Sequence, residues 1–239
     1  MSSTGDPRKI TVRGGKSKMS DQTDINARVW KKLYAEGKND LLYPNDSFVR
    51  VFSRLFSGAT KPLHILDYGF GTGANLIHLA QKGHRTAGVE ISADALAVTQ
   101  KRLTALNLAS DLSLTTPGAK LDFPDNCFDV VMSWQVIYYN DWKGLHAIVQ
   151  EFERVTRPNG TIIIAMAAPG DISQVLADRT AEDVYISRVP GQEGCVLVIP
   201  EKEQLPSIFK SANLQIGEFL FDNQGAVSRH WIITYNVEK

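Results

Sequence analysis

Cysteine is nearly absent from this chain. Cys127 and Cys195 are the only two in 239 residues, which excludes a disulfide framework and fits a reducing compartment. No apolar run approaches the roughly 18 residues that a bilayer span requires, and the uncharged apolar stretches have the length of buried strands. The start of the chain lacks an apolar signal core, and Asp6 argues against a transit peptide, so a cytoplasmic location is expected. An excess of one charge is missing too: Lys plus Arg and Asp plus Glu each total 26, and this balance points to neither nucleic acid nor membrane. No Cys/His set has zinc spacing and no carboxylate cluster suits magnesium, so no metal is expected. Internal repeats are absent. None of these features bears on oligomeric state.

What is present is the composition of a globular core, 43% hydrophobic and 22% charged, at a length that fits one generous domain. Charge is unevenly placed, with 11 basic and 6 acidic residues in 1–60 against 15 and 20 in 61–239. Arg8, Lys9, Arg13, Lys16 and Lys18 stand among Gly, Ser and Thr. A run this short, without aromatics, reads as a solvated leader over 1–20 rather than a nucleic-acid arm.

Periodicity then organises the chain. Val29, Trp30, Leu33 and Tyr34 predict a helix from Asn26 to a stop at Gly37, and Asn45-Asp46 opens a second one that runs to Gly58. Residues 21–58 therefore form a helical lid on a domain spanning 59–239. Apolar runs at 63–68, 86–90, 112–116, 128–134 and 161–166 predict strands, separated by helices over 74–81, 92–106 and 142–155. Such alternation implies an α/β, doubly wound, Rossmann-like sheet with helices on both faces. The final third departs from it. Strands at 184–189 and 195–199 predict a hairpin insertion over about 183–200, and 201–212 reads as a helix. Strands at 214–221 and 231–237, joined by about nine residues, are too close for a parallel crossover, so the last strand is expected antiparallel.

The chemistry concentrates after the first strand. Gly69, Gly71 and Gly73 let the backbone turn sharply and let a ligand approach the main chain at the start of a helix. Asp67, two residues before the first glycine, can accept from an ammonium. Glu90 ends the next strand, where an acid accepts the hydroxyls of an adenosine ribose. Gly69-x-Gly71-x-x-Ala74 also satisfies the nicotinamide-dinucleotide fingerprint. Asp67 would repel a pyrophosphate, however, and together with the Gly-x-Gly-x-Gly loop and the antiparallel terminal pair it favours S-adenosylmethionine.

With Leu66–Gly73, Gly88-Val89-Glu90-Ile91-Ser92, Leu121-Asp122-Phe123-Pro124 running on to Val131, and 151–160 in order, the chain from about residue 42 to 237 resembles class I S-adenosylmethionine-dependent methyltransferases. The resemblance implies S-adenosylmethionine as cofactor and S-adenosylhomocysteine as product. It implies that Gly69, Gly71 and Gly73 cradle the methionine end, that Glu90 holds the ribose, that Ile91 packs on adenine and that Ser133 lies beside the methionine. Where many relatives carry an acid for the adenine amine, this chain has Gly118. Backbone groups around Gly118 and Ala119 are the expected substitute, with Asp122 a further candidate.

For the acceptor, the family's usual floor is the loop after the fourth strand, here with Trp134, Tyr138 and Tyr139; Tyr34 and Tyr43 come from the segment that closes over the cofactor. Such aromatics bind planar or cationic groups, or serve as packing. No catalytic residue is assigned: each of the five histidines reads more readily as structural, and only His230 cannot be placed away from the substrate side. Motifs of amino-methylating and cytosine-carbon nucleic-acid enzymes are lacking. Methyl transfer to a nitrogen, oxygen or sulfur of a small molecule is thus the expected function. The alternatives are a protein or RNA acceptor, a non-catalytic cofactor-binding scaffold and, more distantly, a dinucleotide oxidoreductase.

Overall fold

The computed structural model describes residues 21–239, so the basic leader lies outside the described residues. Helix α1 (Asp21–Ala35) is followed by α2 (Asp46–Phe56), whose first turn is closed by the Asn45 side chain accepting from the Ser47 amide. Phe48 and Phe52 on α2 are buried against Trp134 and Ile65, which fastens this helix to the sheet. Each such phenyl group contributes roughly 1.5–3 kcal/mol of burial.

The alternating core follows as predicted. It runs β1 (His64–Tyr68), α3 (Ala74–Gln81), β2 (Arg85–Glu90), α4 (Ala93–Ala105), β3 (Asp111–Leu114), β4 (Phe128–Trp134), α5 (Trp142–Val155) and β5 (Thr156–Ala167). Ser92 caps α4 by accepting from Ala95, and Asp141 caps α5 by accepting from Gly144. Strand β5 begins five residues earlier than periodicity suggests, because its register to β4 shifts between Phe128 and Val130 and absorbs Arg157-Pro158-Asn159-Gly160 in a bulge.

Beyond β5 come a short α6 (Ile172–Val175), β6 (Ala177–Ala181), β7 (Val184–Ser187), β8 (Val196–Val198), a 3-10 turn at Lys202–Gln204, α7 (Leu205–Ile208), β9 (Gln215–Asn223) and β10 (Ala226–Asn236). Three expectations need correction here. The insertion is a three-stranded antiparallel sheet, β6-β7-β8, rather than a hairpin, and it starts near 177. The helix expected over 201–212 is reduced to two short turns, since Ser211 and Asn213 hydrogen-bond locally where a helix would continue. Strands β9 and β10 are joined by Gln224-Gly225 alone, both with positive φ as a type I′ turn demands, not by nine residues.

The main sheet runs β3-β2-β1-β4-β5-β10-β9; the first five strands are mutually parallel, and β10 is antiparallel to both β5 and β9. The strand order reverses outward from β1, so the carboxyl ends of β1 and β4 face a crevice, the usual ligand position in such sheets.

Candidate active site

At that crevice lies a cavity of about 380 Å3, a size suited to a nucleoside-type ligand and a small second molecule. Its floor is the turn between β1 and α3. Gly69, Gly71 and Gly73 all have positive φ, and a Cβ at Gly69 would stand 2.6 Å from Val136 Cγ1, so a side chain is excluded there on two grounds. The amides of this loop are already engaged: Gly69 donates to the Val89 carbonyl at 2.8 Å, Gly71 to Glu90 Oε2 at 2.9 Å and Gly73 to the Phe70 carbonyl at 2.9 Å. The glycines thus offer close approach rather than free donors.

Glu90 is buried, and its Oε1 accepts from the amides of Ile91 and Ser92 at 2.7 and 3.0 Å. Burial raises its carboxyl above the ordinary range, against the lowering effect of these three amides. Asp67 is only 3% exposed, and burial together with the nearby Glu90 pushes its carboxyl up to about 8. Asp67 Oδ2, Trp134 Nε1 and Asn140 Oδ1 are buried without a hydrogen-bond partner, and all three residues line the cavity. Buried polar atoms in that state cost about 1–3 kcal/mol each, which a ligand at this place would offset.

These observations fit S-adenosylmethionine and fit a dinucleotide poorly. A pyrophosphate seeks free amides and cations at a glycine loop. Here the glycine amides are spent, two buried acidic side chains stand beside the loop, and no Lys or Arg occurs among the described residues lining the cavity.

The roof is α1 with the segment after it. Asn26 donates to the Tyr139 and Val196 carbonyls at 2.8 and 2.9 Å and accepts from the Val196 amide at 2.7 Å, tying α1 to β8. At the other end Leu41 donates to Thr72 Oγ1, and Arg102 donates to the Leu41 and Thr72 carbonyls and to Asp40. The walls are aromatic. Trp30 meets Tyr139 edge to face at 4.9 Å, Tyr138 lies against Tyr139 at 4.5 Å, and the Tyr139 hydroxyl donates to Gln192 at 2.8 Å.

Of the residues singled out from sequence, Asp67, Gly69, Gly71, Glu90, Ile91, Tyr34, Trp134, Tyr138 and Tyr139 line the cavity. The others do not. Tyr43 is 82% exposed outside it, displaced by the Leu41 and Asn45 backbone contacts that draw the loop inward. Ser133 is fully buried and donates to the Tyr68 carbonyl; Gly73 supports the loop from beneath, against Thr99. Gly118 and Ala119 form a turn beside the cavity, whose lining there is Thr115 and Pro117. Trp30, weighed as packing, lines the cavity.

His64, His78, His84 and His146 stand elsewhere. His84 accepts from the Leu63 amide, and His146 stacks on Trp142. His230 does line the cavity, beside Asp171, a residue sequence reasoning missed. The available signal was Asp171-Ile172-Ser173 directly after the carboxyl end of a parallel strand, where an acid caps a helix and faces the ligand crevice.

Against this geometry stand the comparisons. The family described as "Methyltransferase domain" matches residues 65–160, the stretch that builds the loop, Glu90 and the β4 floor. Over residues 65–160 the chain is thus similar to methyltransferase domains. Among curated proteins it is similar to ajmaline N-methyltransferase of Rauvolfia serpentina, with 31% identity over 115 residues, covering 47% of this chain and 39% of that one. It is also similar to malonyl-[acyl-carrier protein] O-methyltransferase of Pectobacterium atrosepticum, with 30% identity, covering 49% and 44%. The similarity thus spans less than half the length of either relative. Among solved structures, Burkholderia thailandensis 1,6-didemethyltoxoflavin-N1-methyltransferase superposes with a TM-score of 0.68 at 12% identity over 95% of both chains. The likeness of fold therefore reaches well beyond residues 65–160.

Proposed function

We propose that the protein transfers a methyl group from S-adenosylmethionine to a nitrogen, oxygen or sulfur atom of a small molecule, leaving S-adenosylhomocysteine. The observation that carries this is Asp67 Oδ2, buried and unpartnered beside a loop whose glycine amides are spent. That arrangement suits an ammonium and a close-packed thioether chain, not a phosphate. Asp67 holds the amino group, Gly69 and Gly71 admit the chain, Glu90 takes the ribose hydroxyls, and Ile91 packs on adenine with Thr115, Pro117 and the Gly118-Ala119 turn at its edge. When bound, the cofactor supplies an electrophilic methyl on a sulfonium; the protein's task is alignment and exclusion of water. Tyr34, Trp134, Tyr138 and Tyr139 surround the acceptor. Residues 21–58 act as the lid, and the roof that α1 lays over the cavity supports a small molecule over a protein or RNA. The free thiols Cys127 and Cys195 support a cytoplasmic setting.

The test is incubation with methyl-labelled S-adenosylmethionine and separate pools of small amines, phenols, thiols, proteins and RNA. Label in a small molecule with stoichiometric S-adenosylhomocysteine is expected. Label only in protein or RNA overturns the acceptor class.

A further inference from the structure

One titratable pair lining the cavity, Asp171 and His230, is not used by the proposed cofactor contacts. β10 runs antiparallel to β5, which sets His230 opposite Ala167, just before the turn that carries Asp171. Both side chains are buried, with Nδ1 of His230 at 3.9 Å from Asp171 Oδ2 and 3.4 Å from Ser228 Oγ. Asp171 is itself held rigidly: it accepts from the Arg229 amide at 2.7 Å, from the Ser173 amide at 2.8 Å and from the Ser173 hydroxyl. With Nδ1 turned to Asp171 and Ser228, Nε2 is the other ring nitrogen of a side chain that lines the cavity. Tyr138 closes the other side, its ring 6.4 Å from the imidazole and edge to face. Arg229, the neighbour on β10, points away and is engaged by Glu218 and the Pro169 carbonyl.

Resting on the methyl-transfer reading, we propose that His230 Nε2 is the general base of the reaction and Asp171 its positioning residue, and that the acceptor is an uncharged planar molecule whose heteroatom carries a weakly acidic proton, a phenol-type O–H or a ring N–H. In the proton transfer the heteroatom–hydrogen bond breaks, its electron pair stays on the heteroatom, and the proton joins the Nε2 lone pair. The imidazolium so formed is stabilised by the Asp171 carboxylate. Burial holds the ring below its ordinary 6.5, so it is neutral and able to accept near pH 7; Asp171 offsets that effect in part. The 3.9 Å separation is typical of a catalytic contact that tightens once substrate is bound. An anionic acceptor is disfavoured because no Lys or Arg occurs among the described lining residues, while Asp171 adds negative charge.

The experiment compares wild type with His230→Gln and Asp171→Asn, using phenols and ring N–H heterocycles against carboxylic acids and phosphate monoesters as acceptors. S-adenosylhomocysteine affinity is measured on every protein as the control for folding and cofactor binding. Expected is turnover confined to the first two classes. H230Q should lower kcat by about 10²–10⁴-fold at unchanged cofactor affinity, the usual reach of a positioned base. D171N keeps a helix cap and should move the acidic limb of kcat to lower pH, because Asp171 is the group that raises the ring. Proton-detected titration of the His230 ring should show the same displacement without any acceptor present. Wild-type kcat in H230Q, a pH limb or ring titration indifferent to D171N, turnover of anionic acceptors alone, or no turnover of any class while S-adenosylhomocysteine binds overturns the inference. Failure of wild type to bind S-adenosylhomocysteine sinks the underlying reading instead.

Discussion

Asp67 carries the sharpest consequence at the residue scale. A carboxyl raised to about 8 from 3.8 is protonated in the ligand-free protein at pH 7. An ammonium placed beside it favours the carboxylate, so S-adenosylmethionine binding at pH 7 should release most of one proton. Calorimetry in buffers of different ionisation enthalpy reads this directly; heats independent of buffer at pH 7 contradict it. The same shift sets a sign for stability. Between about pH 4 and 8 the unfolded chain has lost a proton that the folded one keeps, so the ligand-free protein loses stability as pH rises through that window and levels off above it. Glu90 is the second sensitive residue. Its three amide partners show that it shapes the loop as well as lining the cavity. Glu90→Ala should weaken S-adenosylhomocysteine binding by about 1.5–3 kcal/mol, the scale of hydrogen bonds to a charged group. Unchanged affinity in a titration would show the ribose to lie elsewhere.

At the scale of elements, the Asn26 side chain ties the start of α1 to β8 over the cavity. Asn26→Ala removes two donated bonds and one accepted bond and leaves buried backbone groups of Val196 unpaired. A loss of about 1–3 kcal/mol in urea unfolding is expected. Faster tryptic cleavage at Arg28, Lys31 or Lys32 and a raised KM for the acceptor should accompany it. Cleavage at the wild-type rate contradicts the fastening. Elements with strong local signals were legible without the structure. Helices α3 and α5 and strand β4 coincide with their apolar periodicity, and Asn45 and Ser92 cap the helices they precede. Strand β6, Ala-Asp-Arg-Thr-Ala, is polar and exposed, so only its pairing to β7 makes it a strand. The polar start of β10 became strand for the same reason, drawn out by β9.

Across the whole molecule, the division between legible and hidden follows sequence distance. The glycine loop and Glu90 are joined by one βαβ unit, so their chemistry is written in a single short motif. His230 and Asp171 meet only because β10 inserts antiparallel beside β5, and neither lies in a pattern that announces the other. Tyr43 failed as a pocket residue for the converse reason: its neighbours' backbone bonds, invisible in composition, turn it outward. The same topology collects the acids of β1 and β2, the aromatic floor after β4 and the roof of α1 around one cavity. The claim on which everything else depends is that this cavity binds an adenosyl sulfonium and not a dinucleotide. Calorimetric titration of the purified chain with S-adenosylhomocysteine and, side by side, NADH tests it most directly. Saturable binding of S-adenosylhomocysteine with a micromolar Kd and no heat from NADH is the predicted result; binding of NADH with no response to S-adenosylhomocysteine would contradict it.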